Sequence, residues 1–261
     1  MAKVISKDGT TIAFDRVGEG PAVILVDGAL SNRAFGPMGQ LAALLAPYIT
    51  VITYDRRGRG ESGDTPPYAV EREIEDIEAL INEAGGSASL YGASSGAALA
   101  LRAAANLGPD RATRLALFEP PFSSSEEEKR AFVQYAGQMD SLLRAGRRGD
   151  AVAFFLADMV PPEALEEMRG SPEWPALEAL AHTLAYDNAV MGDDLVPVDG
   201  ARAVAMPALV LDGSESPEFM REVAAALARA LPNARRKSLD GQSHSAAPEV
   251  LAPVLVEFFK A

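Results

Sequence analysis

Short, unbroken apolar runs and long amphipathic stretches take turns along the first part of the chain. Ala22-Val23-Ile24-Leu25-Val26 and Ile49-Thr50-Val51-Ile52-Thr53-Tyr54 read as strands buried on both faces, the form expected in a parallel sheet. Residues 2–6 and 10–17 read as a hairpin around Asp8-Gly9. Between the two apolar strands, residues 37–46 have helical composition. Val70, Ile74, Ile77, Leu80 and Ile81 recur at helical spacing with acids between them and predict an amphipathic helix, which Gly85-Gly86 ends. A strand at 87–91 follows, then an alanine- and leucine-rich helix at 95–107 that suits burial against a sheet, then a strand from Arg114 to Phe118.

After Pro120 the pattern changes. To about Ala205 the periodicity predicts only helices, at 126–145, 150–159, 162–169 and 173–190, punctuated by Gly and Pro. Ser123-Ser124-Ser125-Glu126 reads as the N-cap of the first of these. Alternation resumes with a strand at 208–211, a helix at 217–230, a strand near 234–239 and a last helix at 248–260. The expected architecture is α/β, with a mostly parallel sheet flanked by helices. Its core comprises residues 1–119 and 206–261, and a helical cap fills 120–205.

Composition narrows the chemistry. With no cysteine among 261 residues, disulfides, thiolate zinc sites and thiol catalysis are excluded. A net charge of −13 opposes binding to nucleic acid and to anionic lipid, and the Arg56, Arg57 and Arg59 group is too short to form a basic face. Two histidines, His182 and His244, are too few for a histidine-rich metal site, and nothing in the sequence requires a metal or cofactor. With no long apolar segment behind Lys3 and no apolar run near the roughly 20 residues that span a bilayer, a soluble cytoplasmic protein is expected.

The chemistry centres on Gly92-Ala93-Ser94-Ser95-Gly96. Gly-x-Ser-x-Gly is a short motif, but here a strand, Ser89-Leu90-Tyr91, leads in and a helix leads out, which is the frame of a nucleophile elbow. A serine on so sharp a turn needs small neighbours two residues before and after it, and its hydroxyl then projects at a helix N-terminus. Glycines alone would serve close packing; the serine between them is what points to chemistry.

Together with the order of elements and the turn Tyr54-Asp55-Arg56-Arg57-Gly58-Arg59-Gly60-Glu61-Ser62, this elbow resembles the α/β-hydrolase superfamily over essentially the whole chain. The resemblance implies that fold, with an eight-stranded sheet and a cap inserted after the sixth strand. The arginines of the turn are expected to pair with nearby acids and to act structurally. The resemblance also implies that the oxyanion of an acyl-transfer reaction is held by the backbone N–H groups of Ser95 and Ala29. Ala29 lies in Val26-Asp27-Gly28-Ala29-Leu30, where Asp27 replaces the histidine usual in relatives.

A serine hydroxyl needs a base. In family order that base is His244, between the last strand and the last helix, whereas His182, inside a cap helix, reads as packed or solvated. The orienting acid departs from the pattern. Relatives place an aspartate three residues after the glycine that ends the seventh strand, and here that position is Ser216. Asp212 and Glu215 are neighbours of it. Glu119 is another supply, because some members, zearalenone lactonases among them, carry the acid after the sixth strand. Glu119 is therefore taken as the orienting acid, with Asp212 and Glu215 as the alternatives.

Phe132, Tyr135, Phe154, Phe155, Met159 and Trp174 of the cap, with Phe35 and Met38, offer apolar surface. Most of it is expected to be cap core, with Phe35, Met38, Phe154 and Trp174 as candidates for the substrate pocket. The expected reaction is hydrolysis of a small-molecule carboxylic ester or lactone through an acyl-enzyme. Thioesterase, perhydrolase and carbon–carbon hydrolase chemistry can use the same residues, and a weakly catalytic ligand receptor is the alternative outside enzymology.

Overall fold

The computed structural model describes residues 2–193 and 195–261. Eight strands form one sheet in the order β1-β2-β4-β3-β5-β6-β7-β8. β1 (Ala2–Ile5) and β2 (Thr11–Val17) form the antiparallel hairpin, and β2 pairs antiparallel with β4 (Thr50–Tyr54). From β4 onward all neighbours are parallel: β3 (Ala22–Val26), β5 (Ala88–Ala93), β6 (Ala112–Phe118), β7 (Ala208–Gly213) and β8 (Ala234–Leu239). The central strands are continuous apolar runs because helices cover both faces.

On one face α2 (Val70–Glu83), α3 (Ser95–Leu107) and α10 (Glu218–Ala230) pack through Ile77, Leu80, Leu99 and Val223. On the other, α1 (Met38–Leu45) and α11 (Pro248–Lys260) pack through Leu41, Leu45, Leu255 and Phe259. Arg57 is buried and forms a bidentate pair with Asp76 at 2.7 and 2.8 Å and a bond to Asp8 at 3.0 Å. This joins the turn after β4 to α2 and to the β1–β2 hairpin. Among the described residues no helix is long and apolar enough to cross a membrane.

Between β6 and β7 the chain forms α4 (Glu126–Arg144), α5 (Arg148–Leu156), α6 (Pro162–Arg169), α7 (Trp174–Leu180), α8 (Leu184–Met191) and α9 (Val198–Arg202). Ser125 caps α4 in a capping box with Glu128. The single helix expected at 173–190 is instead two, separated by a 3₁₀ turn at Ala181–Thr183. There the buried Thr183 hydroxyl donates back to the Leu180 carbonyl at 2.8 Å, a bond that competes with the regular helical ladder. The helix expected at 150–159 runs from Arg148 to Leu156, and the short α9 went unanticipated.

Candidate active site

Ser94 occupies the turn between β5 and α3 with φ 55° and ψ −131°. Two glycines make this turn possible by contact rather than by their own dihedrals. A Cβ at Gly92 would collide with the Gly96 carbonyl, and one at Gly96 with the carbonyl oxygens of Val26 and Asp27. The end of β3 therefore lies directly against the start of α3, and the loop after β3 passes the serine so closely that a Cβ on Gly28 would sit 3.1 Å from Ser94 Cβ.

His244 lies in the loop between β8 and α11. Gln242 pins this loop: its side-chain carbonyl accepts the Ala247 N–H at 2.8 Å and its backbone carbonyl accepts the Glu215 N–H at 2.8 Å. A Cβ on Gly213 would strike the Gln242 carbonyl, so the glycine that ends β7 lets the histidine loop approach. His244 Nε2 then lies 3.3 Å from Ser94 Oγ, and His244 Nδ1 lies 2.7 Å from Glu119 Oε2.

Glu119 follows β6 with φ 44°, and its carboxylate is fully buried. Burial alone would raise its pKa. The bond to His244, the nearby Ser216 hydroxyl and the Gly213 N–H outweigh burial and hold the carboxyl below its ordinary value. An ionised carboxylate can only accept, so Nδ1 carries the proton and Nε2 is left to accept from the serine hydroxyl. Among the described residues, three other than glycine have positive φ, namely Leu30, Ser94 and Glu119, and all three belong to this site. Each such residue costs about 1–2 kcal/mol of backbone strain.

Of the other two carboxylates, Asp212 is also buried, but it accepts from Arg236 Nε at 2.6 Å and from the Ser238 hydroxyl at 2.7 Å, which commits it to β8. Glu215 is exposed. Ser95 is the first residue of α3, where a backbone N–H has no carbonyl within the helix to bond. Ala29 lines the cavity beside it.

That cavity, of about 580 Å³, opens above Ser94 and His244. Phe35 and Met38 line it, as do Phe155, Leu156, Met159, Met168 and Leu177 of the helical insertion. Phe154 and Trp174, the two other pocket candidates, are not among the lining residues. Phe154 stacks on Tyr135 with ring centroids 5.0 Å apart, and the buried Trp174 gives its indole N–H to Glu178 at 2.9 Å. Trp174 belongs to the insertion's own core and Phe154 packs against that core; its neighbour Phe155, about 100° further round α5, is the one that reaches the cavity. Among the described lining residues there is no lysine or arginine, and the only carboxylate is Asp27. Burial raises the Asp27 pKa, against the opposing effects of the Gly28 N–H, Ser31, Arg59 and Arg56.

His182 stands apart from this cavity, 3.5 Å from Asp64 and edge-on to Tyr186. Arg56 and Arg59 are buried and paired with Glu73 and Asp187. Sequence reasoning did not identify Asp187; the signal available was the closely spaced arginines of the turn after β4, each of which needs an anion once buried.

A sequence model of the alpha/beta hydrolase family matches residues 23–254. The crystal structure of an alpha/beta hydrolase from Sphaerobacter thermophilus is 52% identical over 99% of this chain and 100% of that one, with a TM-score of 0.87. A thermophilic esterase from Thermogutta terrifontis is 25% identical over 99% and 97% of the two chains, with a TM-score of 0.75. An enol-lactonase from Burkholderia xenovorans is 22% identical, covers both chains completely and has a TM-score of 0.70, a likeness of fold. With the sheet order, the elbow and the extent of these matches in agreement, the chain belongs to the alpha/beta hydrolase family and is a hydrolase.

Proposed function

We infer that this hydrolase cleaves carboxylic esters of neutral, apolar small molecules through an acyl-enzyme, with residues 120–205 serving as a cap over the substrate. The observation that carries the reading is the hydrogen-bonded chain Ser94–His244–Glu119, at 3.3 and 2.7 Å, facing an apolar cavity of about 580 Å³. In this reading His244 Nε2 takes the Ser94 proton as Oγ attacks the carbonyl, and the imidazolium passes that proton to the leaving alcohol. Glu119 holds the tautomer and stabilises the imidazolium. The N–H groups of Ala29 and Ser95 receive the oxyanion, and a water activated by His244 then releases the acid.

The likeness to the Thermogutta esterase supports ester chemistry, and the lack of a cation in the lining favours neutral substrates over carboxylates. Lactones fit the same cavity and the same attack. The test combines fluorophosphonate labelling with turnover of p-nitrophenyl esters of graded chain length and of lactones. Stoichiometric labelling that vanishes in Ser94→Ala, together with ester turnover, is expected. A folded protein that takes up no label would overturn the reading in favour of a ligand receptor.

A further inference from the structure

A buried charge from the cap touches the elbow directly. Asp187, on α8, accepts the Ser95 hydroxyl at 2.8 Å through Oδ1. The same carboxylate accepts Arg56 Nη1 at 2.7 Å and Arg59 Nη2 at 2.8 and 2.9 Å. Glu73 takes the other edge of Arg56 in a bidentate pair at 2.7 Å, so two cations and two anions balance below the surface. Both guanidinium groups also reach the loop after β3: Arg59 Nη1 donates to the Gly28 carbonyl, and Arg56 Nη1 to the Asp27 carbonyl at 3.3 Å.

The Gly28 carbonyl and the Ala29 N–H belong to one planar peptide unit. A guanidinium bound to that carbonyl therefore sets the direction of the Ala29 N–H on the opposite edge, and polarises it into a stronger donor. The Ser95 hydroxyl, held by the same carboxylate, anchors the residue that carries the other donor. Although burial acts to raise its pKa, Arg59, Arg56 and Ser95 together hold Asp187 below its ordinary value, which favours the ionised carboxylate.

We propose that Asp187 is a positioning residue for the oxyanion hole: one cap carboxylate orients the Ala29 donor through Arg59 and the Ser95 donor directly, making docking of α8 a condition of fast turnover. The proposal rests on the serine-hydrolase reading above. It adds that the cap shapes transition-state binding as well as the pocket.

Asp187→Asn and Ser95→Ala separate this from a purely structural role. Rates are taken per fluorophosphonate-reactive Ser94, so that only folded protein counts. Affinity is measured for a trifluoromethyl ketone, whose adduct with Ser94 places an oxyanion in the hole, against that for the matched methyl ketone. In Asp187→Asn, kcat is expected to fall about tenfold to a hundredfold with KM within about twofold, and the ketone affinity ratio to fall by a similar factor. Ser95→Ala is expected to lose about threefold to tenfold in both. A lowered Tm with unchanged kcat and ketone ratio in Asp187→Asn would overturn the proposal. If that variant does not fold, Ser95→Ala decides alone, and no change in it overturns the proposal equally. Turnover persisting in Ser94→Ala would instead sink the underlying reading, and the proposal with it.

Discussion

The carboxylate of Glu119 accepts the backbone N–H of Gly213 at 2.7 Å, so an acid carried by β6 is tied through its second oxygen to the end of β7. Three residues beyond Gly213 stands Ser216, where relatives place an aspartate. The extra methylene of glutamate and the left-handed turn at its own position bring the charge to the imidazole from the neighbouring strand.

Glu119→Gln is expected to lower kcat about 10³- to 10⁴-fold, because the amide can present its N–H₂ to His244 and favour the wrong tautomer. Asp212→Asn is expected to weaken the tie to Arg236 and lower Tm while leaving kcat within about threefold. Steady-state kinetics on a p-nitrophenyl ester, with thermal melts of both variants, checks the pair; the reverse ranking would reject Glu119 as the acid.

The supply of the acid should also be movable. Ser216 is buried, its hydroxyl has no partner of good geometry, and it lies near the Glu119 carboxylate. Combining Glu119→Ser with Ser216→Asp is expected to recover about tenfold or more of the rate lost in Glu119→Ser alone. Equal rates for the single and double variants would show that the backbone at Ser216 cannot present an acid to His244.

Stability should register the same pair. Glu119 titrates below its ordinary value of 4.5 when folded, so its contribution is complete above that pH and disappears as the pH falls through the lower, folded pKa. Melting temperatures of wild type are therefore expected to drop below about pH 4.5 more steeply than those of Glu119→Gln. Parallel curves for the two proteins would contradict the depressed pKa.

Asp27 should act as a charge filter. Burial raises its pKa, and it is the only described carboxylate on a cavity wall without a cation. Esters that carry a carboxylate are expected to lose kcat/KM relative to matched neutral esters as the pH rises and Asp27 ionises, by about tenfold or more. Asp27→Asn keeps an acceptor for the Gly28 N–H and should flatten that dependence. A ratio of acidic to neutral ester rates with the same pH dependence in wild type and in Asp27→Asn would refute the filter.

The alternation of elements, the parallel core and the elbow at Ser94 were determined by sequence, because each depends on local physics: apolar runs long enough for strands, helical periodicity, and glycines that let backbones touch. Ser94, Glu119 and His244 were each legible as residue types in a recognisable order. Their assembly was not, since 3.3 and 2.7 Å separations arise between residues 125 to 150 positions apart. Only tertiary structure shows which of the three carboxylates meets the imidazole: Glu119 does, while Asp212 is held by Arg236 and Ser238, partners on another strand. It likewise brought Phe155 to the cavity, left Phe154 against the insertion's core and buried Trp174 within it, an arrangement that composition does not record. Asp187 was invisible for the same reason: its importance lies in Arg56, Arg59 and Ser95, which lie far from it in sequence and meet it only when the insertion docks.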